Sequence, residues 1–185
     1  MLERIKQFVQ ESFNKKESGK SMAHFERALD WLLVLKPDAD EAMQIAAYAH
    51  DVERVFRQQT VKEVYDSKQL NDPDVLRNHQ DKGAKIIGEY LRSEGYDEVQ
   101  VQRVENIVQH HEEGGDSESD LIKDADSLSY LEINAPKNID MFPDVFSKDQ
   151  LRVKIDWMYN RISSDKAKRL AEPYYKKAIE MLEQK

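Results

Sequence analysis

Apolar residues in this chain recur at spacings of three and four, and the same stripes carry its histidines. His24 continues into Ala28, Trp31/Leu32 and Leu35. Ile45, Ala46, Ala49 and His50 share a broad face with Glu53. His79 lines up with Gly83, Ile86/Ile87 and Tyr90, and Val101, Val104 and Ile107/Val108 lead to His111. A period near 3.6 is the signature of an α-helix with one buried face. Six glycines and five prolines in 185 residues are too few for the turns of a β-sandwich. The chain is therefore expected to be an all-α, single-domain helical bundle.

Breakers and caps divide it. A first helix over about 2–16 ends near Gly19. A second runs from near Ser21 to Leu35, closed by Pro37. Asp40 caps a third, "EAMQIAAYAHDVERVF", read as continuous. Residues 58–73 read as a loop with a short helix. Pro73 opens a helix that Gly95 ends, and another runs from Asp97 to Gly114-Gly115. Asp120 is expected to cap "LIKDADSLSYLE", with "NAPKNIDMFPD" a loop. Two closing helices cover about 147–163 and 165–184, with Trp157, Tyr159, Tyr174 and Tyr175 as packing residues.

A net charge of −8 argues against general nucleic-acid binding, which needs basic surface. With no cysteine there are neither disulfides nor thiolate metal ligands. No apolar run approaches the length of a membrane span, and the first 20 residues lack a signal-type core, so a cytoplasmic location is expected.

An imidazole or carboxylate facing a core needs a partner, and a metal ion supplies one. His24, His50, Asp51, His79, the pair His110-His111 and Asp126 are the candidate ligands. Adjacent helical residues point about 100° apart. His50 and Asp51 can thus share a site only at the edge of their faces, where Asp51 could also bridge two ions. Of the neighbouring pair, His111 continues the apolar stripe, whereas His110 is rotated to its edge and could complete a second ion or contact substrate.

The segments "MAHFERALDW", "AAYAHDVERV", "NHQDKGAKIIGEYL", "IVQHHEEGG" and "KDADSLSYLE" span about residues 20–135. Their order, His24, His50-Asp51, Asp126, resembles the HD superfamily of metal-dependent phosphohydrolases. The resemblance implies an all-α fold of HD-domain type and a His…His-Asp…Asp quartet holding one divalent ion. Extra histidines at His79 and His110/His111 match members that hold two. It also implies hydrolysis of a phosphate ester or anhydride, on a nucleotide or similar small metabolite, by metal-activated water. The metal's identity stays open among Mn, Fe, Co, Ni, Mg and Zn.

Many members follow the doublet with a Gly-Lys ending, where this chain has Val52-Glu53-Arg54. Arg54 is thus a candidate phosphate fork. Glu53 is either an acid supporting the ligands or a surface residue. Asp51 would ligate or bridge and orient the nucleophile. Lys82, Lys85 and Lys123 lie close enough in sequence to meet a phosphate. The lack of Gly-Tyr-Pro after His111 argues against a cyclic-di-GMP phosphodiesterase. Two other readings fit the same ligands: a di-iron oxygenase of this fold, and a non-catalytic metal-stabilised binding module. The helices beyond the motif region offer a face for an oligomer.

Overall fold

A computed structural model describes residues 1–14, 22–65 and 70–185. The secondary structure of the described residues is helical throughout. Among the described residues eleven α-helices run in order: α1 (Leu2–Asn14), α2 (Ala23–Leu35), α3 (Glu41–Ala49), α4 (Glu53–Phe56), α5 (Val61–Tyr65), α6 (Pro73–Ser93), α7 (Glu98–Gln109), α8 (Ser117–Ser129), α9 (Ala135–Asp140), α10 (Lys148–Asn160) and α11 (Asp165–Glu183). A π-helical segment, Tyr130–Asn134, joins α8 to α9. Among the described residues no helix is long and apolar enough to cross a membrane.

Helix α3 is apolar nearly all round, and that composition places it at the centre. Ala42, Met43, Ile45, Ala46, Ala47, Tyr48 and Ala49 are all buried, and α1, α2, α7 and α8 pack around it. A helix without a polar face has no other stable place in water. Its small alanines let the neighbours approach closely, and those neighbours turn inward the stripes that the spacing predicts. Leu32 of α2, Ile87 and Leu91 of α6, Val104, Ile107 and Val108 of α7, and Ile122, Ala125 and Leu128 of α8 are buried in one core. The closing pair behaves likewise: the rings of Tyr159 and Tyr175 stack at 4.2 Å, and Tyr174 meets Trp31 edge-on.

Short polar side chains set most helix starts. Asp40, Asp97 and Ser164 each accept one N–H of the first turn, Asp72 and Asp116 each accept two, and Ser147 forms a reciprocal capping box with Gln150. Each such cap contributes about 1 kcal/mol. Gly95, at φ 71°, stops α6 in a left-handed conformation that other residues adopt only with strain.

Three expectations need correction. The helix expected over 41–56 is broken, because α3 ends at Ala49 and residues 50–52 form a tight turn into α4. Asp116, not Asp120, caps α8, since its carboxylate accepts from the N–H groups of Glu118 and Ser119. "NAPKNIDMFPD" is helical at its start rather than a loop: the chain widens into the π segment, which accommodates Pro136 in the first turn of α9 without an N–H to donate. The break expected near Gly19 and the start expected at Ser21 lie outside the described residues.

Candidate metal centre

The turn at residues 50–52 creates the site. The His50 Nδ1–H donates to the Ala47 carbonyl at 2.8 Å, replacing a helical partner as α3 ends. The following residues continue through bonds of the i to i+3 type, with Val52 N–H to Ala49 O and Arg54 N–H to Asp51 O. Both members of the doublet therefore face the centre, which the 100° step of a continuous helix would have made difficult. His24 comes from the start of α2, His79 from α6, His111 from the turn after α7, and Asp126 from α8. All six side chains are buried.

The histidines share one orientation. His24 Nδ1–H donates to Ser129 Oγ at 2.8 Å, since the Ser129 hydroxyl itself donates to the His24 carbonyl. His79 Nδ1–H donates to Glu53 Oε2 at 2.8 Å, and His111 Nδ1–H to the Val108 carbonyl at 2.6 Å. With the acceptor at Nδ1 fixed in every case, the neutral ring must carry its lone pair on Nε2. The Nε2 atoms of His24, His50 and His79 point at the carboxylates or at another imidazole. His24 Nε2 lies 3.1 Å from Asp126 Oδ1 and 3.5 Å from Asp51 Oδ2. His50 Nε2 lies 3.2 Å from Asp126 Oδ1 and 3.3 Å from His24 Nε2, and His79 Nε2 lies 2.8 Å from Asp51 Oδ1.

Lone pairs on nitrogen facing anionic oxygen repel, so the pocket requires a cation. Without metal, protons fill that role. Burial depresses the His24 pKa, but hydrogen bonds to Asp126 and Asp51 outweigh it and raise the value to about 9. Burial and Arg54 oppose the protonation of His79, but Asp51 and Glu53 raise its pKa above the ordinary range. Asp51 and Asp126 stay ionised despite burial, held well below the usual carboxylate range by Arg54 and Arg161 respectively and by His50.

His111 is different. Its buried Nε2 has no hydrogen-bond partner among the described residues, and burial pushes its pKa down to about 4. An orphaned imidazole nitrogen beside Asp51 and His79 fits a metal far better than a solvent-free core. Two overlapping groups have ligand atoms within 4.8 Å of one another: His24, His50 and Asp51, and then Asp51, His79 and His111. The residues present therefore fit a divalent ion, and Asp51 is common to both groups.

His110 does not join the cluster, because its Nδ1–H donates to the Asn106 carbonyl at the end of its own helix. Arg54 lies at the rim, half-buried, with Nε 2.7 Å from Asp51 Oδ1. Glu53 is buried, gripped by both nitrogens of the Arg57 fork as well as by His79. Burial would raise its pKa, but His79 and Arg57 lower it to about 2. Lys82 and Lys85 are exposed on α6 and line a cavity with Glu53 and Arg57, and Lys123 bonds Asp120 and the Glu113 carbonyl.

Three buried groups escaped the sequence reading. Arg161, just past α10, donates to Glu112 and Asp126, taking the Asp126 oxygen that the histidines leave. Its Nε reaches Ser127 Oγ at 2.9 Å. Glu112 is buried beside His111, and its N–H donates to Gln80 Oε1 at 3.0 Å. Lys154 is buried on the same side of the site. The acid in "HHEEGG" is the one signal that was available, since it adjoins a candidate ligand.

Residues 5–181 match the family described as Domain of unknown function (DUF4202). No functionally curated protein matches the sequence significantly. Two solved structures share the fold. A predicted HD superfamily hydrolase from an uncultured Thermotogales bacterium has a TM-score of 0.61 at 19% identity, covering 99% of this chain and 90% of that one. YpgQ of Bacillus subtilis, solved in complex with ADP, has a TM-score of 0.64 at 19% identity, covering 100% and 95%.

Proposed function

The chain belongs to the DUF4202 family and has the HD-superfamily fold, and on that footing we propose that it is a metal-dependent phosphohydrolase acting on a small phosphorylated substrate of nucleotide type. The observation that carries this reading is the convergence of four buried histidines with Nδ1 tied, three of them with Nε2 at Asp51 or Asp126 and the fourth, His111, with a buried Nε2 in the same cluster. His24, His50, Asp51 and Asp126 would hold one divalent ion, and Asp51, His79 and His111 a second. Such an ion supplies Lewis acidity, polarising a phosphoryl oxygen and bringing the pKa of water towards neutrality.

The chain's own groups do the rest. Glu53 and Ser129 fix the tautomers of His79 and His24, so that Nε2 is the ligand atom. Arg161 anchors one oxygen of Asp126, leaving the other for His24 and His50. Arg54, at the rim, can turn its guanidinium edge to a phosphate while its Nε stays on Asp51. The ADP bound by YpgQ supports a nucleotide as the substrate class.

The test is metal analysis of untagged protein, followed by a nucleotide and phosphate-ester panel with manganese, beside Asp51→Ala. Bound metal and turnover in the wild type, both lost in a folded Asp51→Ala, is the expected result. Full activity in that variant would reject the assignment. The sharing of Asp51 by both ligand groups also suits a di-iron oxygenase. Iron in the purified protein, visible absorption and oxygen uptake would favour that reading. Bound metal without turnover on any substrate would leave a metal-stabilised binding module.

A further inference from the structure

Lys154 is 6% exposed, and among the described residues its ammonium meets no carboxylate within ion-pair distance. What faces it is aromatic: its Nζ lies 4.3 Å from the centre of the Trp157 ring and 5.6 Å from that of Tyr130. A π-face attracts a cation but accepts no conventional hydrogen bond, so the rings leave the N–H groups open to another acceptor. Natural proteins bury lysine without a partner rarely, and chiefly where it meets something else.

The spacing of residues shows where that ammonium stands. Lys154, Trp157 and Arg161 follow at three and four along α10 and past its end, so they form one stripe. Asp126 and Tyr130 are four apart, one turn along the end of α8. Arg161 reaches Asp126, and Lys154 reaches Tyr130. The two stripes run side by side, and Lys154 stands about one helical turn, roughly 5 Å, beyond the metal ligand. The charges that bear most on it are those of Glu112, Arg161, Arg54 and Asp126, all groups of the site.

The balance of charge indicates what it meets. Around the histidines, the carboxylates of Asp51, Glu53, Glu112 and Asp126 are matched by the cations of Arg54, Arg57, Lys154 and Arg161. Each divalent ion therefore adds two positive charges that the protein does not neutralise. A phosphoryl group with two negative charges offsets more of that excess than a singly charged phosphodiester does.

We propose that Lys154 is a substrate-holding residue, whose ammonium leaves the Trp157 and Tyr130 rings to bond a doubly charged phosphoryl group placed beside Asp126. This deepens the phosphohydrolase reading and rests on it for the reaction. The helix that confers specificity for monoesters and diphosphate ends thus lies beyond the motif region.

The test uses manganese-loaded, desalted full-length protein and pyrophosphate as probe. Wild type and Lys154→Met are compared by calorimetry, with Lys154→Arg as the charge-retaining control. Affinity should fall by roughly tenfold or more in Lys154→Met, the loss expected of a charge-assisted hydrogen bond, and largely return in Lys154→Arg. Trp157 provides a readout in the unaltered protein. Its emission should change as pyrophosphate draws the ammonium away, and Trp157→Phe should lose that change. Among chromogenic substrates, Lys154→Met should lose rate on a phosphomonoester while keeping its rate on a phosphodiester. A folded Lys154→Met that binds pyrophosphate like wild type overturns the proposal, as does wild-type emission that stays constant through saturation. Lysine-dependent pyrophosphate binding in a protein that hydrolyses nothing would sustain Lys154 as an anion site and reject the phosphohydrolase.

Discussion

Raising the pH from 6.5 to 8 should destabilise the metal-free protein, and His24 sets the size of the effect. Its pKa is about 9 in the fold against an ordinary 6.5, because hydrogen bonds to Asp126 and Asp51 overcome its burial. A group with a raised folded pKa gives its full stabilisation below the unfolded pKa and loses it as pH climbs towards the folded one. Lys154 bounds the usable window. Buried, it is held at about 8 against an ordinary 10.5, so above pH 8 it contributes a slope of opposite sign. Between 6.5 and 8 the His24 slope acts over 1.5 units at about 1.36 kcal/mol each, removing about 2 kcal/mol. His79, also raised, pulls in the same direction. For a chain of this length that loss lowers Tm by roughly 4–8 °C. Below 6.5 the slope reverses, because burial depresses His111 to about 4 and the unfolded chain binds its proton more readily. The maximum should therefore fall near pH 6.5. Chelator-treated protein is to be melted and urea-unfolded across the range, beside His24→Asn, in which the decline above pH 6.5 should shrink. Stability that is level or rising between 6.5 and 8 in the metal-free wild type would refute the account. Manganese affinity should instead increase over the same window, since each ion bound displaces the proton on His24.

Other perturbations separate the parts of the site. Arg161→Met leaves Glu112 and Asp126 buried without their shared cation and should cost the metal-free protein about 3–5 kcal/mol in urea unfolding, with part recovered on adding manganese. Glu53→Gln weakens the hold on His79 Nδ1, and calorimetry should show metal affinity at the His79–His111 side falling by about 10–100-fold. His111→Ala should lower the bound metal seen by elemental analysis, whereas His110→Ala should leave it unchanged, because only His111 turns its Nε2 inward.

The fold was legible because periodicity and caps act locally. The stripes of α2, α6 and α7 lie on the faces that their spacing specifies, and Asp40, Pro73 and Asp97 begin helices where a side-chain acceptor or a missing N–H favours a start. The misreadings fall where tertiary contacts override local pattern. Residues 41–56 have no breaker, and what ends α3 is the His50 ring bonding back to Ala47, a choice made by its surroundings. The start of α8 offered two aspartates, and only geometry separates Asp116 as cap from Asp120, which pairs with Lys123. Pro136 read as loop because the widened π turn before it has no signature in residue type.

For the site, sequence could nominate groups but not their partners. Apolar stripes put His24, His79 and His111 inward, yet none of that foretells that a serine, a glutamate and a carbonyl would fix their tautomers. Arg161 lies 35 residues beyond Asp126, past the recognisable segments, and reads like any surface arginine at the end of a polar helix. Lys154 was equally silent, since a lysine between apolar neighbours is nearly always solvated. These two residues nonetheless decide how the centre holds charge. Asp126 and Glu112 could not both stay ionised in a buried pocket without the Arg161 fork, and without ionised carboxylates only neutral imidazoles would face a metal. A divalent ion bound there would thus take the place of the proton on His24, beside carboxylates that Arg161, just past α10, keeps ionised. A metal-binding assay on Arg161→Met would consequently measure the loss of that pairing, not of any ligand.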